Sequence, residues 1–397
     1  MAPDNTRGPG GSGLPGRSGL PGGSGLPGAP PLASNGHDPR ALGARPPTGT
    51  GRLESVDLGT FRLESGERLP VTVAYRHDGP GPDAPQVVVV HALTGSADAA
   101  GDWWTPLIGP GRALDTDRVG VLCANLLGGC YGSTGPTSID PSTGLAWGSR
   151  FPQPTARDEA RVLWALADRL GIESLALVTG GSMGGMIALE VALERPARVG
   201  HIAAIASPAA TGPMAVGWNH IQLELIDRLG WEGLALARQL AMTTYRSEAD
   251  FETRFDRTLQ PDGRYAIASY LDHQGVKLLE RFDPDTYRVL ARVIDSHDLG
   301  RDRGGSVAAL RALAASGTGL TGVGITGDIL YGPVQVKALL ADAAEADVQV
   351  AYREITTIKG HDAFLIEWEQ LTAILAEALE DGVKRSAHQR EVLALPA

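Results

Sequence analysis

The sequence has 397 residues, of which 43% are apolar and 20% charged, proportions typical of a globular protein. A net charge of −11 argues against a nucleic-acid partner, which would leave a basic footprint on the sequence. No apolar run approaches the roughly 18 residues of a membrane span, and the first residues lack a secretory signal. We therefore expect a cytoplasmic protein that does not associate with membranes.

Residues 1–50 differ in composition from the rest of the chain. Between Gly10 and Pro30, glycine occupies every third position, which is formally the collagen period. The segment is too short for a triple helix, so we predict a disordered, low-complexity tail.

Short apolar runs separated by helical patterns follow this tail. The alternating stretch at 69–75 predicts a strand, placed at an edge of the sheet because of Pro70. Continuous apolar runs predict buried strands at 86–90, 119–123, 175–178, 202–205, 320–325 and 348–352. Helices are predicted at 155–170, 183–194, 333–345 and 364–379. This alternation predicts a doubly wound, mostly parallel α/β sheet.

The two cysteines, Cys123 and Cys130, lie close together in sequence but without CxxC spacing. No histidines cluster beside them, so they form neither a redox motif nor a metal site in this interpretation. We expect both to be packing residues.

The alternation stops between about 211 and 316, where the pattern is helical throughout. We interpret this insertion as a lid over the carboxyl edge of the sheet, where open α/β sheets bind ligands. The predicted core then comprises 51–210 and 316–397, and the predicted lid 211–315.

Ser182 lies among glycines in VTGGSMGGM, between a predicted strand and a predicted helix. This is the context of a nucleophile elbow, a strained turn that requires neighbours without bulky side chains. The amides at the start of the helix would stabilise developing negative charge beside the hydroxyl. We predict that Ser182 is a catalytic nucleophile.

A serine nucleophile needs a base, and the base needs an orienting carboxylate. With this elbow, the chain order is Ser, then Asp or Glu, then His. His361, in the loop before the final helix, is the preferred base, and His297 in the helical insertion is its competitor.

The acid is expected after the penultimate strand. Asp328 lies at that point and is preferred over the helix-borne Asp342 and Asp347. The oxyanion hole requires the amide after the nucleophile, that of Met183, and one from a loop after an early strand. Leu93 in HALTG is the preferred second donor, and Thr94 is the alternative.

Several segments together resemble the homoserine O-acetyltransferase family, whose members have the α/β-hydrolase fold. They are HALTG, WWTPLIGPGRALDTDRVGVLCANLLGGCYGSTGP, VTGGSMGGMIALE, ARQLAMTTYRS and KGHDAF. The resemblance spans about residues 53–380, and LGGCYGSTGP and TTYRS are far more specific than GxSxG. It implies transfer of the acetyl group of acetyl-CoA to the hydroxyl of L-homoserine, on the route to methionine.

The resemblance also implies roles for individual residues. Ser182, Asp328 and His361 would form the triad of a ping-pong mechanism with an acyl-serine intermediate. Arg238 and Tyr245 would hold the carboxylate of the acceptor, and Asp362 its ammonium group. Arg238 and Tyr245 are two helical turns apart and so share a face, and a guanidinium matches a carboxylate. The family further implies a homodimer, with acetyl-CoA as substrate and no cofactor or metal.

Alternatives remain within and beyond this family. The donor is acetyl-CoA or succinyl-CoA, and the acceptor homoserine or serine. A serine esterase or lactonase shares the triad but has no reason to keep Arg238, Tyr245 and Asp362 together. A non-catalytic binding protein has no use for an intact triad.

Overall fold

The computed structural model describes residues 53–393, so the predicted tail at 1–50 lies outside the described residues. Eight strands form one sheet in the order β1-β2-β4-β3-β5-β6-β7-β8. The strands are β1 (Glu54–Arg62), β2 (Arg68–Asp78), β3 (Gln86–Val90), β4 (Gly120–Ala124), β5 (Leu175–Gly181), β6 (Val199–Ile205), β7 (Gly319–Ile325) and β8 (Val350–Ile355). From β4 to β8 all neighbours are parallel, which confirms the predicted α/β-hydrolase fold with its mostly parallel sheet.

Ten α-helices accompany these strands within residues 53–393. They are α1 (Ala156–Arg169), α2 (Met183–Glu194), α3 (Pro213–Leu229), α4 (Trp231–Tyr245), α5 (Glu248–Phe255), α6 (Ala266–Leu279), α7 (Pro284–Asp295), α8 (Ser306–Ser316), α9 (Pro333–Glu345) and α10 (Trp368–Leu393). None of these helices is long and apolar enough to cross a membrane.

The central strands are buried on both faces, because alternate side chains enter two separate cores. Val88 and Val90 of β3 belong to the core under α1, α2 and α9, whereas Val87 and Val89 belong to the core under α10. A strand that is covered on both faces has apolar residues at consecutive positions. The apolar runs in the sequence therefore predict these strands.

The prediction that 69–75 forms an edge strand is wrong. β2 pairs with β1 on one side and with β4 on the other, and β1 forms the edge. The ladder with β4 involves only Tyr75–Asp78 of β2, so β4 does not reach the level of Pro70. The amides of Thr72 and Ala74 bond instead to hydroxyls of a loop, and Pro70 shares their side of the strand. Its missing N–H therefore breaks no ladder with β4.

The last helix begins later and ends later than predicted. Residues Gly360–Leu365 form a 3-10 turn, and α10 starts at Trp368 rather than at 364. α10 then continues to Leu393, past the predicted end at 379. The apolar residues of the 3-10 turn continue the helical pattern in sequence, so periodicity alone places the boundary too early.

Five helices, α3–α7, lie between β6 and α8, and we call residues 213–295 the helical insertion. α3, α4, α6 and α7 pack on one another, whereas α8 packs against α2 and α9 beside the sheet. The division of the chain into core and lid stays a prediction.

Both cysteines are buried and form no disulfide. Cys130 lies beside the carbonyl oxygen of Arg281, and burial raises the pKa of its thiol to about 12. A thiol in this state is a weak nucleophile, which fits the packing role predicted for it.

Candidate active site

Ser182 occupies a sharp turn between β5 and α2. Its φ of 58° and ψ of −127° lie in a region that residues with a side chain rarely adopt. The turn is held by two hydrogen bonds: the Ser182 amide donates to Ile205 O at 2.9 Å, and Ser207 Oγ donates to Ser182 O at 2.8 Å. The structure therefore shows the strained strand-turn-helix geometry of a nucleophile elbow.

The glycines around Ser182 are required by close backbone approaches. A Cβ at Gly180 would lie 2.5 Å from Val90 O, and one at Gly184 would collide with the same oxygen. Such distances exclude any side chain, so the GxSxG spacing follows from the contact between the elbow and the end of β3.

Asp328 and His361 are joined by a hydrogen bond of 2.7 Å between Oδ2 and Nδ1. The other carboxylate oxygen of Asp328 accepts from the amides of Leu330 at 2.8 Å and Tyr331 at 3.0 Å. The carboxylate is thus fixed by the backbone, and it fixes the imidazole so that Nε2 is left for another partner.

The loop of His361 is anchored to the core by the neighbouring Phe364. The ring of Phe364 lies against Gly181, and Trp104 Nε1 donates to Phe364 O at 2.9 Å. Nε2 of His361 has no hydrogen-bond partner among residues 53–393, and it is buried. An imidazole held on one side and unbonded on the other suits a base that acts on an incoming proton.

Two opposing effects act on the pKa of His361. Burial disfavours the charged imidazolium and lowers the pKa, but the charge and hydrogen bond of Asp328 favour it. The balance raises the pKa above its ordinary value, and the carboxylate of Asp362 adds to the rise. The site thus stabilises a protonated His361, which is the form that follows proton abstraction.

The predicted oxyanion donors lie on either side of the elbow. Met183 is the first residue of α2, where a backbone N–H has no acceptor within the helix. Leu93 follows β3, and Val90 of β3 pairs with Gly180 of β5. The loop 92–95 is therefore next to the elbow, and Leu93 borders the same cavity as Ser182.

A cavity of about 510 Å³ lies between the carboxyl edge of the sheet and the helical insertion. Ser182, His361, Leu93, Arg238, Tyr245 and Asp362 all border it, together with residues that sequence reasoning did not select. These include Trp103, Asn219, Gln222, Lys277, Arg281 and Tyr331. A volume of this size is typical of a site for a small molecule.

Arg238 and Tyr245 of α4 are stacked at the end of the cavity near His361. The guanidinium carbon of Arg238 is 5.4 Å from the centre of the Tyr245 ring, and that ring is 6.0 Å from the imidazole of His361. The structure thus brings the two residues to one face, as their spacing predicts. No salt bridge within residues 53–393 occupies Arg238, so its guanidinium is available to an anion in the cavity.

Asp362 is already paired with a cation in the structure. Its Oδ2 lies 3.2 Å from Nε of Arg246, the residue after α4. Arg246 in turn lies 3.6 Å from the fully buried Asp250. Asp362 therefore has a neighbour that the sequence did not reveal, although it still borders the cavity. Two aspartates therefore flank one arginine beside the cavity.

Arg281 was also missed, although its contacts are among the most informative in the site. It follows α6, and its Nη1 donates to Thr94 O at 2.7 Å and to Tyr131 Oη at 2.8 Å. It thereby ties the helical insertion to the loop 92–95. The spacing of Lys277 and Arg281, four residues apart on a helical pattern, is the only signal that they share a face.

The competing candidates lie elsewhere. His297 is buried and bonds to Pro208 O at 2.9 Å, and it does not border the cavity. Asp342 accepts from Ser306 Oγ, and Asp347 lies in the turn after α9. The alternative oxyanion donor, Thr94, borders the cavity beside Leu93. The structure thus joins Asp328 and His361 and no other pair of the candidates.

Comparison of the sequence and the structure with known proteins identifies the family of this chain. A family model described as alpha/beta hydrolase fold matches residues 85–290. A homoserine O-acetyltransferase of Carboxydothermus hydrogenoformans is 39% identical over 363 residues, which cover 82% of this chain and 94% of the relative. The enzyme of the same name from Nostoc punctiforme is 43% identical over 337 residues, covering 80% and 93% respectively.

This chain belongs to the homoserine O-acetyltransferase family. Among solved structures, the homoserine O-acetyltransferase of Bacillus anthracis is similar with a TM-score of 0.77. The match covers 83% of this chain and 97% of that one, at 23% sequence identity. Such a likeness shows the shared fold, and the family membership suggested by the sequence motifs is confirmed by the sequence relatives.

Proposed function

We propose that this protein transfers the acetyl group of acetyl-CoA to the hydroxyl of L-homoserine through an acyl-Ser182 intermediate. The observation that carries the proposal is one cavity bordered both by the Ser182 elbow with its His361–Asp328 pair and by Arg238. The family to which the chain belongs supports the same reaction. The product places the chain in methionine biosynthesis.

In the first half-reaction, Nε2 of His361 accepts the proton of Ser182 Oγ while the oxygen attacks the thioester carbon. The carbonyl oxygen becomes an oxyanion, toward which the amides of Leu93 and Met183 donate. The carbon–sulfur bond breaks, and the thiolate of CoA leaves with the proton from His361. The product is an acetyl ester on Ser182.

In the second half-reaction, His361 accepts the proton of the acceptor hydroxyl, which attacks the ester carbon. Ser182 Oγ leaves and takes the proton back from His361. Water competes with the acceptor, so transfer requires an acceptor fixed near the ester carbon. Fixing two reactants in one site gives an effective molarity far above that of free solution.

The acceptor end of the cavity is the end near His361. Arg238 carries the charge for an α-carboxylate, Tyr245 adds a hydroxyl, and Asp362 faces the ammonium group. These three groups bind both charged groups of an α-amino acid. Their distance from Ser182 determines how long the side chain of the amino acid must be for its hydroxyl to reach the ester. Asp362 is also paired with Arg246, so an ammonium group bound here would be a second cation beside this carboxylate.

The donor end is the opposite one, beside the loop 92–95. Lys277 and Arg281 border it, and Lys277 forms no salt bridge within the described chain. Two cations that border the cavity suit the phosphates of CoA, and in this proposal the pantetheine arm extends from them to Ser182. CoA is a substrate in this reaction, and the steps above require neither a cofactor nor a metal.

The deciding experiment measures free thiol released from acetyl-CoA with and without L-homoserine, together with the mass of the protein. A transferase acquires one acetyl group on Ser182 and releases thiol continuously only when homoserine is present. Thiol release at the same rate without homoserine would identify a hydrolase. No acylation by any thioester would overturn the proposal.

The same assay distinguishes the alternative substrates. Succinyl-CoA replaces acetyl-CoA in one arm, and L-serine replaces L-homoserine in another. We expect acetyl-CoA and homoserine to give the highest kcat/KM. A higher value for succinyl-CoA or serine would reassign the donor or the acceptor while leaving the mechanism intact.

We also propose that the protein is a cytoplasmic homodimer. The supporting observation is the apolar surface of α3, where Met214, Ile221 and Leu229 are 67%, 49% and 46% exposed. Met214 and Ile221 are seven residues apart and share a helix face. Light scattering after gel filtration tests this: Ile221→Lys should yield a monomer, and a monomeric wild-type protein would contradict the proposal.

A further inference from the structure

The peptide unit between Ala92 and Leu93 is held by two hydrogen bonds to its carbonyl oxygen. Nδ1 of His91 lies 2.8 Å from Ala92 O, and the amide of Gly95 donates to the same oxygen at 2.9 Å. Both donors come from the loop that joins β3 to the cavity. The oxygen therefore has a fixed direction.

The direction of this oxygen determines the direction of the next amide. A trans peptide is planar to within about 15°, and its C=O and N–H bonds point in opposite directions. Ala92 O and Leu93 N–H belong to one such plane. Whatever fixes Ala92 O consequently aims Leu93 N–H, the group assigned to the oxyanion.

The imidazole of His91 is itself held in one tautomer. Its Nε2 accepts from the amide of Leu126 at 3.2 Å, so Nε2 carries no proton and Nδ1 carries the proton that is donated to Ala92 O. The ring is 2% exposed, and burial lowers its pKa to about 4. At neutral pH the ring is thus uncharged, as both hydrogen bonds require.

From this arrangement we propose that His91 is a positioning residue for catalysis, which aims the Leu93 amide at the developing oxyanion through the Ala92 carbonyl. His91 does not touch the substrate, since it does not border the cavity. The inference rests on the proposed acyl transfer, because it assigns His91 to the acylation of Ser182. It adds a residue to the oxyanion hole that no sequence pattern had selected.

Two substitutions separate the donation to Ala92 from the packing of the ring. Asparagine carries its amide nitrogen at the position of Nδ1, so His91→Asn keeps a donor for Ala92 O and loses the acceptor for Leu126. Glutamine carries its polar atoms one carbon farther out, so His91→Gln keeps a partner for Leu126 and loses the donor to Ala92 O.

His297 provides a matched control. It is also 2% exposed, burial also lowers its pKa to about 4, and its ring also bonds to a backbone carbonyl, that of Pro208. It lies away from the cavity. His297→Asn and His297→Gln therefore reproduce the packing change without touching the oxyanion loop.

The experiment measures the single-turnover rate of Ser182 acetylation by acetyl-CoA, the dissociation constant for homoserine and the melting temperature. We expect His91→Gln to lower the acetylation rate about 100-fold, since losing one oxyanion donor costs 10²–10³. His91→Asn should remain within about fivefold of wild type, since its donor is kept. The dissociation constant for homoserine should not change, since His91 does not border the cavity. The His297 variants should acetylate at the wild-type rate even where their melting temperatures fall.

Three results would overturn the inference. The first is wild-type acetylation by folded His91→Gln. The second is a loss in folded His91→Asn as large as that in His91→Gln. The third is an equal loss in His297→Gln. If His91→Gln does not fold, His91→Asn decides alone: its retained rate supports the inference and its loss overturns it. Failure of wild-type protein to form any acetyl-Ser182 would instead overturn the proposed function.

Discussion

The carboxyl edge of the sheet and the helical insertion face each other across the cavity, but they are built differently. At the sheet edge, backbone hydrogen bonds hold Ser182 in its turn and the carboxylate of Asp328 beside His361. In the insertion, the 17-residue helix α3 has only Ala215, Gln222 and Ile226 buried. Backbone contacts thus fix the residues proposed for bond chemistry, whereas most side chains of α3 are exposed or half-buried. Substitutions in the proposed triad should slow both half-reactions, whereas loss of Arg238 should slow only the second.

The largest effect is expected at the nucleophile. Ser182→Ala removes the oxygen that carries the acetyl group, and loss of the equivalent serine in a serine hydrolase costs about 10⁶ in kcat. We expect no detectable acetyl-enzyme by mass spectrometry and no thiol release above background. Ser306→Ala, at a serine that does not border the cavity, serves as control and should retain acetylation. Undiminished acetyl transfer by Ser182→Ala would show that Ser182 is not the nucleophile.

The next largest effect is expected at the orienting acid. Asp328→Asn keeps an oxygen for the amides of Leu330 and Tyr331 but loses the charge beside His361. The corresponding change in a serine protease lowers kcat about 10⁴-fold. Single-turnover acetylation measures this loss, and Asp342→Asn is the control. A decrease of less than tenfold would show that another carboxylate orients the imidazole.

A substitution of Arg238 in the helical insertion should act on the second half-reaction alone. Arg238→Gln removes the charge that faces the carboxylate of the acceptor, and a buried charged pair of this type is worth 2–5 kcal/mol when one partner is lost. We expect the KM for homoserine to rise at least about 30-fold, which is roughly 2 kcal/mol. Acetylation of Ser182 should be unchanged. Arg228→Gln, on an arginine side chain that is 75% exposed, should leave both half-reactions intact. If Arg238→Gln slowed Ser182 acetylation and transfer to homoserine equally, Arg238 would not be specific for the acceptor.

The pH dependence should reflect the sheet edge and be independent of the insertion. His361 acts as a base only when neutral, so activity falls as pH drops through its pKa. Asp328 raises that pKa above the ordinary 6.5 despite the burial that lowers it. The acid limb of kcat/KM for acetylation should therefore lie above pH 6.5, and Arg238→Gln should not move it. An acid limb below this value would show that burial outweighs the carboxylate.

The features that could be predicted from the sequence are those that depend on residues close together in the chain. The elbow is such a pattern, because the glycines are needed within two residues of Ser182 and stand in the sequence at those positions. The helix of the nucleophile, α2, has the predicted bounds for the same reason. The pair Asp328 and His361 was chosen by chain order and loop context, and their hydrogen bond agrees with that choice.

What could not be predicted depends on contacts between distant segments. The edge strand β1 lacks a strong apolar pattern because none of its side chains is fully buried. The bond from Arg281 to Thr94 joins residues far apart in sequence, and so does the link from Trp104 to Phe364. The pairing of Asp362 with Arg246 is likewise invisible until α4 and the loop of His361 lie together. Such contacts result from tertiary packing and leave no local periodicity.

The position of Phe364 against Gly181 has a consequence for biosynthesis on the ribosome. Synthesis proceeds from the amino end and a domain generally folds as a unit, so the elbow is made well before the loop that covers it. Until residues near 364 have left the exit tunnel, the serine has no imidazole beside it and the surface of Gly181 is bare. A nascent chain without this loop therefore lacks the base that the proposed acyl transfer requires.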